Sequence, residues 1–218
     1  MGTPTPVIAC VLRSGGIYTP EWVHRLKRGI ERHASAPPRF VCLSDVDVPG
    51  VEVLPLREGW PGWWSKIELF RPRLLTAPTL YLDLDVVIVG DIAPFVSACD
   101  RFTMMHERGK TDYFNSSAMA WTGDMSHVFD TFSGNPAVHM ERFRSHPRIG
   151  DQAFISDLLV CEDRPPQTFK SALGYDAIVS YKHDRCQGGA PKRACIVTFH
   201  GKPKPCDFKT GWVAKAWK

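Results

Sequence analysis

The chain has 218 residues, 44% of them hydrophobic and 23% charged, with a formal net charge of +4 and a pI near 8.7. These are the values of an ordinary soluble globular protein, long enough for a substantial core and short enough for one α/β domain over 1–218. The charge is too mild to indicate a nucleic-acid partner, and no apolar segment is long enough to span a bilayer.

The start of the chain lacks a basic region followed by a long apolar stretch, so no signal peptide is expected. Met1-Gly2 is not a myristoylation signal, because Pro6 stands where Ser or Thr is needed. The seven Cys are odd in number and contain no Cys-x-x-Cys. Cys10, Cys42 and Cys195 sit in apolar, strand-like runs, where free Cys behaves as a small core residue. A disulfide framework is therefore not expected, and the expected location is cytoplasmic.

Pro6–Leu12 predicts a first strand, ending at the loop Arg13-Ser14-Gly15-Gly16. Thr19-Pro20-Glu21 opens a helix through His33, with Trp22, Val23, Leu26 and Ile30 at helical spacing. Ala36-Pro37-Pro38 breaks it. Arg39–Leu43 and Val51–Leu54 read as strands, and Trp63–Phe70 as the start of a helix after the Gly59–Gly62 loop.

The segment Leu80–Asp91 follows, beginning as a buried strand interrupted by Asp83 and Asp85. Two residues apart on a strand, these carboxylates share one face and repel. An Asp-x-Asp pair also occurs where carboxylates cap a turn. The apolar run on both sides favours a divalent cation, Mg²⁺ or Mn²⁺, bridging to substrate phosphates.

A short helical or turn segment is expected from Asp91 to Ala98, then strands Phe102–His106 and Phe114–Trp121 around the polar loop Glu107–Asp112. Gly123–Phe132 and Pro136–Phe143 read as modest helices, and Gly150-Asp151-Gln152 leads into an apolar helix through Leu159. Ile178–Tyr181 and Ala194–Phe199 are the last strands. From Tyr181 onward nine Lys and Arg stand against Asp184 and Asp207, so this end suits an anionic ligand.

Strand and helix alternate in the first half, which implies a mostly parallel, Rossmann-like sheet with helices on both faces. Ligands of such sheets bind beyond the carboxyl ends of the strands, where Asp83, Asp85 and the Arg13–Tyr18 loop lie. No Gly-x-Gly-x-x-Gly follows the first strand, no Gly-rich loop ends in Lys-Ser/Thr, and no Gly-x-Ser-x-Gly occurs. Dinucleotide, P-loop and serine-hydrolase readings therefore have no motif.

Five stretches occur in an order that resembles nucleotide-sugar glycosyltransferases of the GT-A fold, most closely family 8, the glycogenin and bacterial galactosyltransferase group. They are Ser65-Lys66, Asp83-Leu84-Asp85, Asn115-Ser116-Ser117, Gly150-Asp151-Gln152 and Phe199-His200-Gly201-Lys202-Pro203-Lys204-Pro205. The resemblance implies a metal-dependent transfer of a sugar from a UDP-sugar to a glycan, protein, lipid or small-molecule acceptor, with retention.

By the same resemblance Asp83, Asp85 and His200 hold the metal, with Asp83 also reaching the ribose. The imidazole shifts the expected ion toward Mn²⁺. Lys204 and Lys66 face the departing diphosphate. Asn115 and Ser116 bond sugar hydroxyls, and Asp151 with Gln152 contacts the transferred sugar. Arg13 and Tyr18 hold the base. Asp151 has a rival role as a helix N-cap, and Lys66 as a solvated first-turn side chain. Two departures stand out. Arg-Ser-Gly-Gly replaces the family's polar signature after the first strand, and the closing loop is shorter, so Lys202 competes with Lys204 and Cys206 replaces a Trp. Inversion, with Asp151 as general base, stays open. So do a sugar-1-phosphate nucleotidyltransferase and a non-catalytic nucleotide-sugar binder.

Overall fold

The computed structural model describes residues 5–34, 38–97, 101–106, 114–145 and 147–218. The chain forms β1 (Val7–Leu12), α1 (Pro20–His33), β2 (Arg39–Ser44) and β3 (Glu52–Pro55), then a 3-10 helix over Gly62–Phe70. Next come β4 (Thr79–Leu82), β5 (Val86–Ile88), α2 (Ala93–Ser97), β6 (Thr103–His106) and β7 (Phe114–Trp121). Helices α3 (Ser126–Gly134) and α4 (Pro136–Arg142) precede the short antiparallel pair β8 (Arg144–Ser145) and β9 (Arg148–Ile149), which leads into α5 (Gly150–Cys161). The chain ends with β10 (Gln167–Thr168), α6 (Phe169–Leu173), β11 (Ile178–Ser180), β12 (Ile196–Thr198) and α7 (Gly211–Ala216).

Seven strands make the main sheet in the order β10-β6-β7-β4-β1-β2-β3. It is mostly parallel, with β7 running antiparallel to both β4 and β6. Side chains of β1 alternate between two cores: Ile8, Cys10 and Leu12 on one face, Val7, Ala9 and Val11 on the other. The first core is covered by α1, α6 and α7 and by a second, three-stranded sheet in the order β11-β12-β5. The 3-10 helix, α3 and α5 cover the second core. Helix α1 follows from its sequence: Pro20 is pre-set for a first turn, and Trp22, Val23, Leu26 and Ile30 form its buried stripe.

The segment around Leu80 departs from expectation in one respect. It is not one strand carrying both acids on a face. β4 ends at Leu82, Asp83 to Asp85 form a turn, and β5 leaves the main sheet to pair antiparallel with β12. Two adjacent carboxylates need separate cationic partners, and a corner between two sheets provides them. The helix expected over Trp63–Phe70 is wound as a 3-10 helix, and that expected from Gly123 begins at Ser126.

Among the described residues the six Cys are all unbridged, and no helix is long and apolar enough to cross a membrane. Met1-Gly2, the Ala36-Pro37 breaker, Ala98, Cys99 and the Glu107–Asp112 loop lie outside the described residues.

Candidate active site

A cavity of about 860 Å³ opens beyond the carboxyl ends of β1 and β4. Its lining includes Arg13, Tyr18, Lys66, Asp83, Asp85, Asn115, Ser116, Asp151, Gln152, His200 and Lys204. Of the residues singled out in the sequence, Lys202 alone is not part of that lining.

Asp83 begins the turn after β4, its backbone N–H donating to Ser117 O at 2.9 Å, so β7 fixes its position. The Tyr81 hydroxyl donates to Asp83 Oδ1 at 2.5 Å, and Lys66 Nζ donates to the same oxygen at 3.3 Å. Lys66 is a hub. Its ammonium also donates to Ser116 Oγ at 2.9 Å and lies 3.1 Å from Asp151 Oδ2. With 8% of its surface exposed it is not a solvated first-turn side chain. The N-cap role for Asp151 does not hold either. Ile149 is the cap of α5, with no side-chain bond, and Asp151 is directed at Lys66.

Asp85 has different partners. Tyr18 donates to its Oδ2 at 2.8 Å, and Lys204 Nζ bonds the same oxygen while donating to Phe199 O at 3.3 Å. Arg13 and Ser14, in the loop after β1, are tied to Asp45 beyond β2. The Arg13 guanidinium pairs with Asp45 Oδ2 at 2.9 Å, and Ser14 N donates to Oδ1 at 2.8 Å. Tyr18 also stacks edge-on against Trp22, with centroids 5.0 Å apart. Asn115 accepts from Ser117 N at 2.8 Å, which orients its amide, and His200 Nε2 lies 3.1 Å from Thr198 Oγ1.

These environments push the three acids apart. Burial raises Asp83, but the Lys66 charge and hydrogen bonds from Tyr81 and Ser117 outweigh it and hold the carboxyl below the ordinary range. Burial and then the Asp83 charge raise Asp85, more than Lys204 and Tyr18 lower it. Asp151 is raised by burial, which Lys66 and Ser116 only partly offset. Burial works against the Lys66 ammonium, yet Asp151 and Asp83 together raise it above its usual value.

Asp85 and Asp151 are therefore carboxylates with too little positive charge around them, which is the donor chemistry a divalent cation satisfies. Asp85 fits as a ligand on that count, whereas Asp83, already bonded by Lys66 and Tyr81, would have to share its carboxylate with the ion. Among the described residues, however, no three His, Cys, Asp or Glu side chains are gathered into a metal-holding group. His200 shares the cavity with the two acids while lying beside Thr198.

Tyr81 was the member sequence reasoning missed. Its signal was present, since it stands two residues before Asp83 and so on the same face of the approaching strand. Trp63, which also lines the cavity, gave no signal beyond its type.

No protein-family model and no curated protein matches the sequence. Solved structures do. An active-site mutant of LgtC superposes with a TM-score of 0.66 at 11% identity, over 97% of this chain and 93% of that one. The galactosyltransferase LgtC in complex with donor and acceptor sugar analogs gives 0.64 at 11% identity, over 91% and 88%. The glycosyltransferase GlyE of Streptococcus pneumoniae TIGR4 gives 0.67 at 15% identity, over 99% of this chain and 59% of GlyE. The chain thus has the GT-A glycosyltransferase fold, an α/β architecture around a mostly parallel sheet.

Proposed function

We propose that this chain is a glycosyltransferase moving a sugar from a nucleotide-diphosphate donor, a UDP-sugar, to an acceptor hydroxyl. The observation that carries the reading is the make-up of one cavity at the carboxyl ends of β1 and β4. It joins carboxylates suited to a cation, two lysines suited to a diphosphate, and amide and hydroxyl groups suited to a sugar. That the solved structures sharing its fold include LgtC and GlyE supports the same reading.

Asp83 and Asp85 would hold Mn²⁺ or Mg²⁺, with His200 as the third donor, which favours Mn²⁺. When bound, such an ion supplies Lewis-acid charge against the departing diphosphate. Lys204, beside Asp85, and Lys66, beside Asp83, add fixed positive charge at the point where negative charge develops. Lys204 takes the diphosphate role over Lys202, because it bonds Asp85 within the cavity and Lys202 does not line it. Asp83 also reaches the ribose, and Arg13 with Tyr18 holds the base. Asn115 and Ser116 bond sugar hydroxyls, and Asp151 with Gln152 flanks the anomeric carbon. Retention follows from the likeness to family 8.

Incubation with Mn²⁺ and a panel of radiolabelled nucleotide sugars tests this. UDP release from a UDP-sugar, abolished by chelation, is the expected result. Pyrophosphate release from UTP and a sugar 1-phosphate would replace the reading with nucleotidyl transfer. Inertness toward every donor would reduce the protein to a binder.

A further inference from the structure

Trp63 keeps 49% of its surface exposed, whereas its neighbours Trp60 and Trp64 keep 8% and 6%. Among the described residues, two of the exposed large hydrophobic side chains, Trp63 and Ile17, line the cavity that holds Asp83 and Asp151. Apolar side chains left exposed along a cavity that also holds charged groups mark a binding contact more often than a packing failure.

The position of the indole is specific. At three residues per turn of the 3-10 helix, Trp63 and Lys66 stand on the same edge, about 6 Å apart along the axis. Lys66 in turn reaches Asp151 at 3.1 Å. The ring also lies directly against Gly150, where an added Cβ would come within 2.8 Å of Trp63 Nε1. Gly150 has φ +74°, so the residue before Asp151 must be glycine for its conformation and for the space the indole takes. The pyrrole part of the ring is thereby backed by the start of α5, while about half of the side chain stays exposed.

An indole beside a carboxylate and an amide suits a molecule with an apolar face and a hydroxylated edge. A pyranose ring is such a molecule, with C–H groups on a face and hydroxyls around it. We propose that Trp63 is the stacking platform for the acceptor, and that the acceptor is a pyranoside whose edge hydroxyl points toward Asp151 and Gln152. This rests on the transferase reading and adds the acceptor class to it. The nucleobase is the weaker occupant. Its place, by the Arg13 loop tied to Asp45, lies on the β2 side of β1, whereas Gly150 and α5 pack over β7 on the other side.

Indole ¹H–¹⁵N spectra read the platform directly, with Trp63→Phe identifying the Trp63 signal. The probes are UDP with Mn²⁺, then methyl β-D-glucopyranoside, methyl β-D-galactopyranoside and cellobiose added in the presence of both. The expected result is a saturable shift of the Trp63 signal by at least one pyranoside. Trp63→Ala then weakens that pyranoside about tenfold, or about 1.4 kcal/mol, and Trp63→Phe restores most of the affinity. Calorimetry with UDP and Mn²⁺ separates the two levels. UDP binding with no Trp63 shift from any pyranoside overturns the acceptor assignment and leaves the donor reading standing. A Trp63 shift produced by UDP and unaffected by pyranosides also overturns it, giving the indole to the donor. Failure of the protein to bind UDP overturns the transferase reading and the acceptor assignment with it.

Discussion

Asp83 and Asp85 are two residues apart in the chain, yet their surroundings differ in kind. The partners of Asp83 belong to the frame: Tyr81 on β4, Ser117 on β7, and Lys66 on the 3-10 helix, itself shared with Asp151 on α5. Those last two elements are clamped by an aromatic cluster, in which Phe132 lies 5.1 Å from Trp64 and 5.1 Å from Phe154. The partners of Asp85 come from loops: Tyr18 after β1, and Lys204 in the segment after β12. The outcome is opposite for the two carboxyls, one held below its ordinary range and the other pushed above it. A charge built into the frame is part of the fold. A charge met by loops is available for exchange.

Loss of activity should be largest at the acids themselves. Asp83→Asn and Asp85→Asn should each reduce transfer about 10³-fold, in line with removing a main electrostatic contact at a reacting phosphate. Donor turnover with Mn²⁺ measures this, and near-wild-type rates for either variant would remove the pair from the chemistry.

Next in size is the contrast between the two lysines. Lys66→Met leaves the buried Asp151 and the half-buried Asp83 without their shared cation, so unfolding free energy should fall by about 3 kcal/mol. For a chain of this length that lowers Tm by about 6–12 °C. Lys204→Met should cost less, about 1–2 kcal/mol, because Tyr18 still donates to Asp85, whose carboxyl burial already raises and which can take up a proton once its cation is lost. Lys204 and a cation also compete for the same Asp85 oxygen. Mn²⁺ should therefore bind Lys204→Met more tightly in the absence of nucleotide, even as transfer slows about 10²-fold. Equal thermal losses for the two variants would erase the distinction between frame and loop. A third variant, Phe132→Ala, should cost about 3–5 kcal/mol through the cavity it leaves in the clamp, without touching any group in the site.

The same division explains what could be read from the sequence. Strands β1 and β2 and helix α1 were legible because local signals agreed: apolar runs ended by turns, and Thr19-Pro20-Glu21 before a helical stripe. The Asp-x-Asp pair was visible as an anomaly within an apolar run. The destination of Val86-Val87-Ile88 was not, because an apolar strand does not say which sheet will take its edge. Nor was the link between Lys66 and Asp151, which joins residues far apart in sequence through packing alone. Nine residues are too few to tell a three-residue period from 3.6, so the edge shared by Trp63 and Lys66 emerged only with the coordinates. The difference between Lys202 and Lys204 is likewise one of geometry, not type.

The smallest effect tests whether charge matters at the loop after β1. Asp45 takes hydrogen bonds from Ser14 N and Oγ and pairs with Arg13. Burial alone would raise its carboxyl, but the Ser14 bonds and the Arg13 charge outweigh that and hold it below the ordinary carboxylate range. A group lowered in the folded state stabilises fully above its unfolded pKa and loses that contribution as pH falls through the folded one. Asp45→Asn keeps an oxygen able to accept from Ser14 N and removes the charge. The Tm gap between wild type and variant should therefore be level from pH 7 to 5 and close below about pH 4. Its size should stay under about 1 kcal/mol, since Asp45 is an exposed residue and Arg13 a partly exposed one, so solvent screens the pair. A gap unchanged at pH 3.5 would mean that hydrogen-bond geometry, not the Arg13 ion pair, holds this loop in place. The base-binding side of the cavity would then owe its shape to Ser14 instead of to charge.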